Sequence, residues 1–525
     1  MNQLLQDRKL VLVLDLDNTL LHTKSIEERE FQTKSRDPTF INLIDPLKSI
    51  YEIKLFRGGF HTKLRPFLFE FLKKVFDERK FEIYFYTAGT KDYGMLIIDI
   101  FKMEITRLFG KEYAKQISEE LSHRKLISRC DKERFANKNS SNEIDIDSMQ
   151  QQLYQQIENQ QMGQGGDATL NMKHFIKSLS SLAGGDESIF IIIDDRSDVW
   201  TEEVKDQNGN KLRRVSDNLI LIPEYFYWET SQNRLKSYHK IIQQSGVKYD
   251  FDLSLVYHYK LLTKIHNKFY EEVDSLGYSS VKPIIRDLRT NIFQKNEVAI
   301  FDILFMNDKQ NIVKKSEIDR SYEGMLSQRF GLGYQESIDQ DCTKHYIFLV
   351  DDYISNPVKM KKVSQARALD FEGIKTSVAS IYWLYLSCHF YNELPLEAFN
   401  GLKESKYPEE QRINELLSKC LEIEETGLYE SYKERFNMLE ERKKHREYVK
   451  KQNEEHKLQQ ENGKTQNDHQ QEQEEDNLDT TQDNQTIETQ RQQLKRSHET
   501  ADDDNKVVNE DQDQIESDSK RQRVD

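Results

Sequence analysis

Cysteine is scarce in this chain. Its four cysteines (Cys130, Cys342, Cys388 and Cys420) lie far apart among 525 residues, with no CxxC pair and no metal-ligand spacing. That argues against a disulfide framework or a structural zinc site and favours a reducing compartment. Long apolar runs are missing too: none approaches the roughly 18 residues of a bilayer-spanning helix, so no membrane partner is expected. No signal-peptide pattern opens the chain, because strand-like sequence begins by Leu10. No internal repeat is found. Positive charge is in deficit, with 76 Lys+Arg against 91 Asp+Glu and a net charge of −15. General nucleic-acid binding needs a basic face, and none is expected here. The acid excess is uneven: residues 461–525 hold 8 Lys+Arg and 19 Asp+Glu, a net −11. The remainder is close to neutral, which leaves a phosphorylated substrate admissible.

Against these absences stands Lys9–Thr23, KLVLVLDLDNTLLHT. An unbroken apolar run stops in Asp15 and Asp17, and Thr19 follows. A buried strand that ends in carboxylates places acids at the rim of a sheet. Unpaired carboxylates under an apolar layer are costly, and a bound cation is the expected compensation.

The length leaves room for two or three domains. A mean hydropathy of −0.81 and 32% charged residues are too polar for one continuous globule. Residues 1–230 read as an α/β domain with a Rossmann-like parallel sheet. Strands are expected at Leu10–Leu14, Phe81–Tyr86 and Ile189–Ile193. Helices are expected where Leu64, Phe67, Leu68, Phe71, Leu72 and Val75 recur, and at Tyr93–Phe101. Residues 137–171, rich in Gln, Asn, Ser and Gly, read as a disordered insertion. Residues 231–295 form a helical connector, with Leu255, Tyr259, Leu262, Ile265 and Phe269 at helical spacing and a second short helix after Pro283. A smaller α/β domain follows at 296–400. Its strands are expected at Ala299–Phe305, Tyr346–Val350 and Ile374–Val378, its helices at Ser316–Phe330, Lys359–Leu369 and Ile381–Tyr391. A charged helix at 401–460 and a disordered acidic tail at 461–525 complete the chain.

Each strand of the first domain ends in chemistry: Asp15 to Thr19, Thr87-Ala88-Gly89-Thr90, and Asp194-Asp195-Arg196. Ligands of open parallel sheets bind outside the carboxyl ends of the strands. A phosphoryl-transfer reading gives Asp15 the nucleophile's part and Asp17 the proton's. Mg²⁺ suits the hard oxygen ligands, with Asp15 and Asp194 as expected ligands and Asp17 and Asp195 counted beside them. Thr87 and a lysine would hold the remaining phosphoryl oxygens.

At these residues the chain resembles the haloacid-dehalogenase superfamily, with its DxDx[TV] motif, and within it the phosphatases of the RNA polymerase II C-terminal domain. KLRPFLFEFL (63–72), IYFYTAGTKDYG (83–94), SIFIIIDDRSDVW (188–200) and DNLILIPEYFYW (217–228) are similar to that family's segments. The resemblance implies a catalytic set of Asp15, Asp17, Thr19, Thr87 and Lys177, the lysine lying in a KxL setting 17 residues before Asp194. Lys173 is the alternative lysine. Arg65 is implied as a contact of the substrate phosphate, with a solvated helix-entry residue as the alternative. LLTKIHNKFYEEVD (261–274) and VKPIIRDLR (281–289) look like the connector that precedes a BRCT domain in the larger members, and the domain at 296–400, with Trp383 in its last helix, is similar to BRCT. Lys362 stands where phosphopeptide-binding BRCT domains pair a lysine with phosphate, and a solvated lysine in the basic run KMKK is the favoured alternative. The implied substrate is the phosphorylated C-terminal repeats of RNA polymerase II, the implied location nuclear, and general transcription factors are implied partners. Lys520-Arg521-Gln522-Arg523 would serve as an import signal.

The chain also departs from the family. Its Gln-rich insertion is long, Phe330-Gly331-Leu332-Gly333 replaces a small-residue turn, and the tail lacks a clear acidic-aromatic docking helix. Two rival readings stand beside the phosphatase: a scaffold with a silent site, and a phosphatase for a non-protein substrate. Arg196 is expected in a structural salt bridge, His22 as a satisfied helix-end residue, and Trp383 in the core.

Overall fold

A computed structural model gives the fold. It describes residues 2–27, 30–31, 37–55, 58–128, 177, 179, 186–205, 211–228, 252–306, 314–338, 343–350, 357–369, 373–399 and 426–474. The expected insertion at 137–171 lies outside them, as does Lys173. The chain divides into two compact units, Met1–Glu441 and Arg442–Asp525.

A short helix, α1 (Asn2–Gln6), leads into β1 (Leu10–Asp15), all of which is buried. Four strands follow: β2 (Leu21–Ile26), β3 (Thr39–Asp45), β4 (Ile50–Leu55) and β5 (Gly58–Leu64). They form an antiparallel sheet in the order β2-β5-β4-β3. This sheet is not anticipated from sequence. Its strands are only partly buried and break their apolar alternation with Lys, Glu and Asn, so the period-two signal is weak.

Next come α2 (Leu68–Glu78), β6 (Phe81–Tyr86), α3 (Lys91–Phe109), α4 (Lys111–Gln116), β7 (Leu126–Ile127), β8 (Phe190–Asp194), the hairpin strands β9 (Thr201–Lys205) and β10 (Lys211–Val215), and β11 (Leu219–Leu221). The central sheet runs β11-β8-β1-β6-β7, every pair parallel. Its three inner strands match the expected ones to within a residue. The helix expected from Leu64 is a correction. Leu64 ends β5, and Pro66 keeps Arg65 out of the helical region. Phe67 is left-handed, with φ 64°, before α2 begins at Leu68.

Two connector helices, α5 (Ser254–Leu276) and α6 (Val281–Thr290), pack on this domain. All five expected apolar positions of α5 are buried. His266 and Tyr270 of α5 hydrogen-bond the carbonyls of Arg8 and Lys9 at 2.8 and 3.1 Å, at the root of β1. Pro283 sits inside the first turn of α6, where its missing N–H costs nothing.

The second sheet belongs to the same unit. It is built from β12 (Glu297–Ile300), α7 (Lys315–Ile318), α8 (Tyr322–Phe330), β13 (Gly333–Gln335), β14 (His345–Val350), α9 (Pro357–Leu369), β15 (Thr376–Ser380) and α10 (Tyr382–His389). Its strands are parallel, in the order β13-β12-β14-β15. Three expectations are corrected here. The strand from Ala299 stops at Ile300, the helix 316–330 is two helices, and the strand from Ile374 starts at Thr376. The split has a local cause: Ser321 Oγ accepts from Gly324 N at 3.0 Å and starts α8 afresh. Trp383 is buried as expected, its indole donating to Leu394 O at 2.7 Å.

Arg329 of α8 reaches into the first domain and donates to the carbonyls of Ser216 and Leu219 at 2.8 and 3.1 Å. Asp217 accepts from Arg214 at 2.7 Å, from Arg286 at 2.5 Å and from Arg289. A last helix, α11 (Leu428–Glu474), extends beyond the expected limit of 460. Residues 401–425 and 475–525 lie outside the described residues.

Candidate active site

Register brings the chemistry together. Asp15 pairs with Tyr86, and Leu14 pairs with Ile193, so β1, β6 and β8 end level. Asp15, Asp194 and Asp195 each offer a carboxylate oxygen within 4.8 Å of the others. All three residues are buried. Burial first, and the Asp194 charge second, push Asp15 up to about 8, against the pull of Lys177. The same two causes hold Asp195 well above the usual carboxylate range.

Lys177 Nζ donates to Asp15 and, at 2.5 Å, to Asp194. Burial works against its ammonium, but the two carboxylates outweigh that and raise it. The Trp200 indole donates to Asp194 Oδ2 at 2.7 Å, and the Arg196 amide to Oδ1 at 2.8 Å. Thr19 Oγ1 donates to Asp195 Oδ1 at 3.0 Å and accepts from the Asp195 amide at 3.1 Å. Asp195 Oδ2 is buried and has no hydrogen-bond partner among the described residues.

Asp17 is held differently. Its Oδ1 accepts from the Tyr93 hydroxyl at 2.5 Å and its Oδ2 from Thr87 Oγ1 at 3.1 Å. Burial raises it. Between Asp17 and Thr19 the chain turns through Asn18, which is left-handed at φ 60°. The Asn18 amide donates to Leu21 O and its carbonyl accepts from Tyr225 N, both at 2.7 Å. Gly89 lets its amide reach Thr87 Oγ1 at 2.9 Å. A Cβ there would stand 2.8 Å from the Tyr93 ring, so the close approach requires glycine.

Several expected residues are placed elsewhere or otherwise. The Asp17 carboxylate is outside the three-carboxylate group, because Tyr93 and Thr87 turn it away. Arg65 directs its donors to groups of the protein itself. It is buried, with Nε on Asp252 at 3.0 Å, Nη1 on Thr19 O at 2.8 Å and Nη2 on Pro223 O at 2.9 Å. Lys362 lies on α9 and pairs with Asp302 at 3.3 Å. Arg196 pairs with Asp198 at 2.6 Å, the salt bridge expected of it. His22 stands on β2 rather than at a helix end, its Nδ1 accepting from Tyr227 N at 2.9 Å. Sequence reasoning missed Tyr93 and Trp200 as partners of the acids, although both lie in the motif segments themselves. It missed Asp252 as well, a lone acid with no local signal.

The fold and the site define a class: a parallel-sheet α/β domain with an acidic centre at the carboxyl ends of its strands. Residues 10–161 match the family model for NLI interacting factor-like phosphatases. Asp194 and Asp195 fall beyond that span. The chain is similar in sequence to RNA polymerase II C-terminal-domain phosphatases. It is 24% identical over 416 residues to an RNA polymerase II C-terminal domain phosphatase of Caenorhabditis elegans, covering 78% of this chain and 48% of that protein. It is 24% identical over 295 residues to the Arabidopsis thaliana RNA polymerase II C-terminal domain phosphatase-like 4, covering 55% of this chain and 51% of that one. It is 35% identical over 94 residues to a human RNA polymerase II C-terminal domain phosphatase, covering 18% and 8%. The chain thus spans about half the length of the first two. A solved structure of Fcp1, described as an essential RNA polymerase II CTD phosphatase, superposes with a TM-score of 0.45 and 17% identity, covering 76% of this chain and 97% of that one.

Proposed function

We propose that the protein is a Mg²⁺-dependent protein serine/threonine phosphatase that works through an aspartyl-phosphate. One observation carries the reading: a buried carboxylate trio with an orphaned oxygen on Asp195, beside a fourth carboxylate, Asp17, held apart by its own donors. Three carboxylates with a free oxygen fit a hard divalent cation, which Asp15, Asp194 and Asp195 would hold. Once bound, the ion supplies charge neutralisation for the phosphoryl oxygens.

The chain's own residues do the rest. An Asp15 oxygen attacks phosphorus, and the bond from phosphorus to the serine oxygen breaks. Asp17, oriented by Tyr93 and Thr87, delivers the proton to the leaving hydroxyl. It then takes a proton from the water that splits the aspartyl-phosphate. Lys177 and Thr87 hold phosphoryl oxygens as charge shifts among them.

The substrate of this reading is the phosphorylated C-terminal repeats of the largest polypeptide of RNA polymerase II, and the compartment is the nucleus. The activity for which the relatives are named supports it. The second sheet is read as a BRCT domain that docks the substrate or general transcription factors, supported by its parallel β13-β12-β14-β15 order. Phosphoserine heptad peptides with Mg²⁺ or chelator provide the test. Phosphate release should stop with chelator and fall more than about 10³-fold in Asp15→Asn. Equal release by the variant, or indifference to chelator, rejects the mechanism.

A further inference from the structure

The first turns of α11 are part of the first domain. Leu428, Tyr432 and Leu439 are buried there. The Tyr432 ring lies 4.2 Å from that of Phe67, centroid to centroid. Arg435 Nε donates to Glu70 Oε1 at 2.5 Å and Nη2 to Oε2 at 3.3 Å, across 365 residues of chain. The side chains of this pair are 12% and 3% exposed. The Arg435 guanidinium also stacks on Tyr432, 4.8 Å from its centroid.

Both targets sit at one place. Phe67 and Glu70 form the left-handed corner and first turn of α2, directly after Arg65 and Pro66. Arg65 connects that corner to the acids: its amide donates to Leu20 O at 2.9 Å and its Nη1 to Thr19 O at 2.8 Å. Thr19 in turn bonds Asp195 through its side chain, at 3.0 Å. A continuous series of short contacts therefore runs from α11 to the carboxylate trio.

We propose that Tyr432 and Arg435 are positioning residues, and that the catalytic domain is completed by the 428–439 turns. They clamp the corner of α2, and through Arg65 they hold the 16–21 loop in register with Asp195. A left-handed phenylalanine is a strained corner that needs outside support, and the Tyr432 ring lies against it. The inference rests on the phosphatase reading for its kinetic readout alone.

The test uses the full chain, with Arg435→Gln, and Arg446→Gln on the exposed part of the helix as control. Hydrogen exchange is followed at the amides of Leu20, Arg65 and Phe71, alongside hydrolysis of a small phosphate ester below the melting temperature. The expected result is exchange faster by about ten-fold or more at all three amides. kcat should fall on the order of ten-fold while KM stays constant, since Arg435 touches no substrate. Arg435→Lys keeps the charge and recovers much of the rate. Unchanged exchange at Leu20 and Arg65, or an unchanged kcat in the folded variant, overturns the clamp. If Arg435→Gln does not fold, Tyr432→Leu takes its place. If the unaltered protein hydrolyses no ester, the phosphatase reading fails and the exchange measurement alone decides the clamp.

Discussion

Trp200 bonds the acidic centre directly, and Arg65 reaches it through the backbone of Thr19. The indole N–H of Trp200 is a neutral donor to Asp194 at 2.7 Å, and fixes that carboxylate beside Asp15. Trp200→Phe keeps the ring packing and removes the donor. The Mg²⁺ concentration for half-maximal activity should rise by about 10-fold, as for other partners that orient a metal ligand, and a metal titration of the variant checks it. Arg65 is a buried ion pair with Asp252, at 2.8 Å from Nη2. Arg65→Met takes the counter-charge from buried Asp252, which keeps only the Ser254 amide on Oδ1 at 2.9 Å, and removes a donor from two backbone carbonyls. The expected loss is about 3–5 kcal/mol of stability in denaturant melts. A substrate contact would instead raise KM and leave the melt unchanged, so the two roles separate cleanly.

Among the helices, α5 is the most demanding. It lies between the first domain and the second sheet, and buries His258 with Nδ1 at 2.6 Å from Ser254 O. Burial pulls this histidine from its ordinary 6.5 down to about 4. The folded protein therefore resists a proton that the unfolded chain accepts. Stability is intact above pH 6.5 and is lost progressively as pH falls toward 4, by up to roughly 3 kcal/mol. Denaturant melts at pH 7 and pH 5 measure the loss, and His258→Gln should flatten the dependence. The antiparallel β2–β5 sheet buries charged groups of its own, Glu52 and Lys63. Its contribution is to carry Thr23, whose hydroxyl meets that of Tyr93 at 2.9 Å and so helps place Asp17.

One apolar cluster joins the first domain, the connector and part of the second sheet and reaches Phe399 and Leu428, while Ile300, Tyr346 and Val350 of that sheet belong to a separate cluster. Beside the pairs that Asp217 makes with Arg286 and Arg289, Arg329 is a further polar link. Burial lowers its guanidinium to about 9, an unusual cost for an arginine, offset by the carbonyls it satisfies. Arg329→Met removes a donor from Leu219 O and from Ser216 O, which keeps the Leu219 amide at 3.3 Å, at about 1–3 kcal/mol for a buried group left unpaired. Calorimetry should then show two transitions where the unaltered protein shows one.

The local pattern was enough for the parallel strands of the first sheet and their carboxyl ends. An all-apolar run of five or six residues that stops in aspartate has few other homes than the middle of such a sheet. It pointed as well to Asp15, Asp194 and Asp195 at strand ends, while Lys177 was legible only through the resemblance to the phosphatase family. It failed at Leu64, where the apolar spacing ran on through a proline, and across 21–64, where half-buried strands mix charge with apolar residues. It left Arg65 open. A guanidinium next to a predicted site looks the same in sequence whether it meets a ligand or a buried Asp252. Which partner it takes depends on residues 187 positions away. Chemistry written in adjacent residues follows from the order of the chain. Pairings such as Arg65 with Asp252 and Arg435 with Glu70 exist because folding brings distant groups out of water together, and a buried charge must then find its counterpart there.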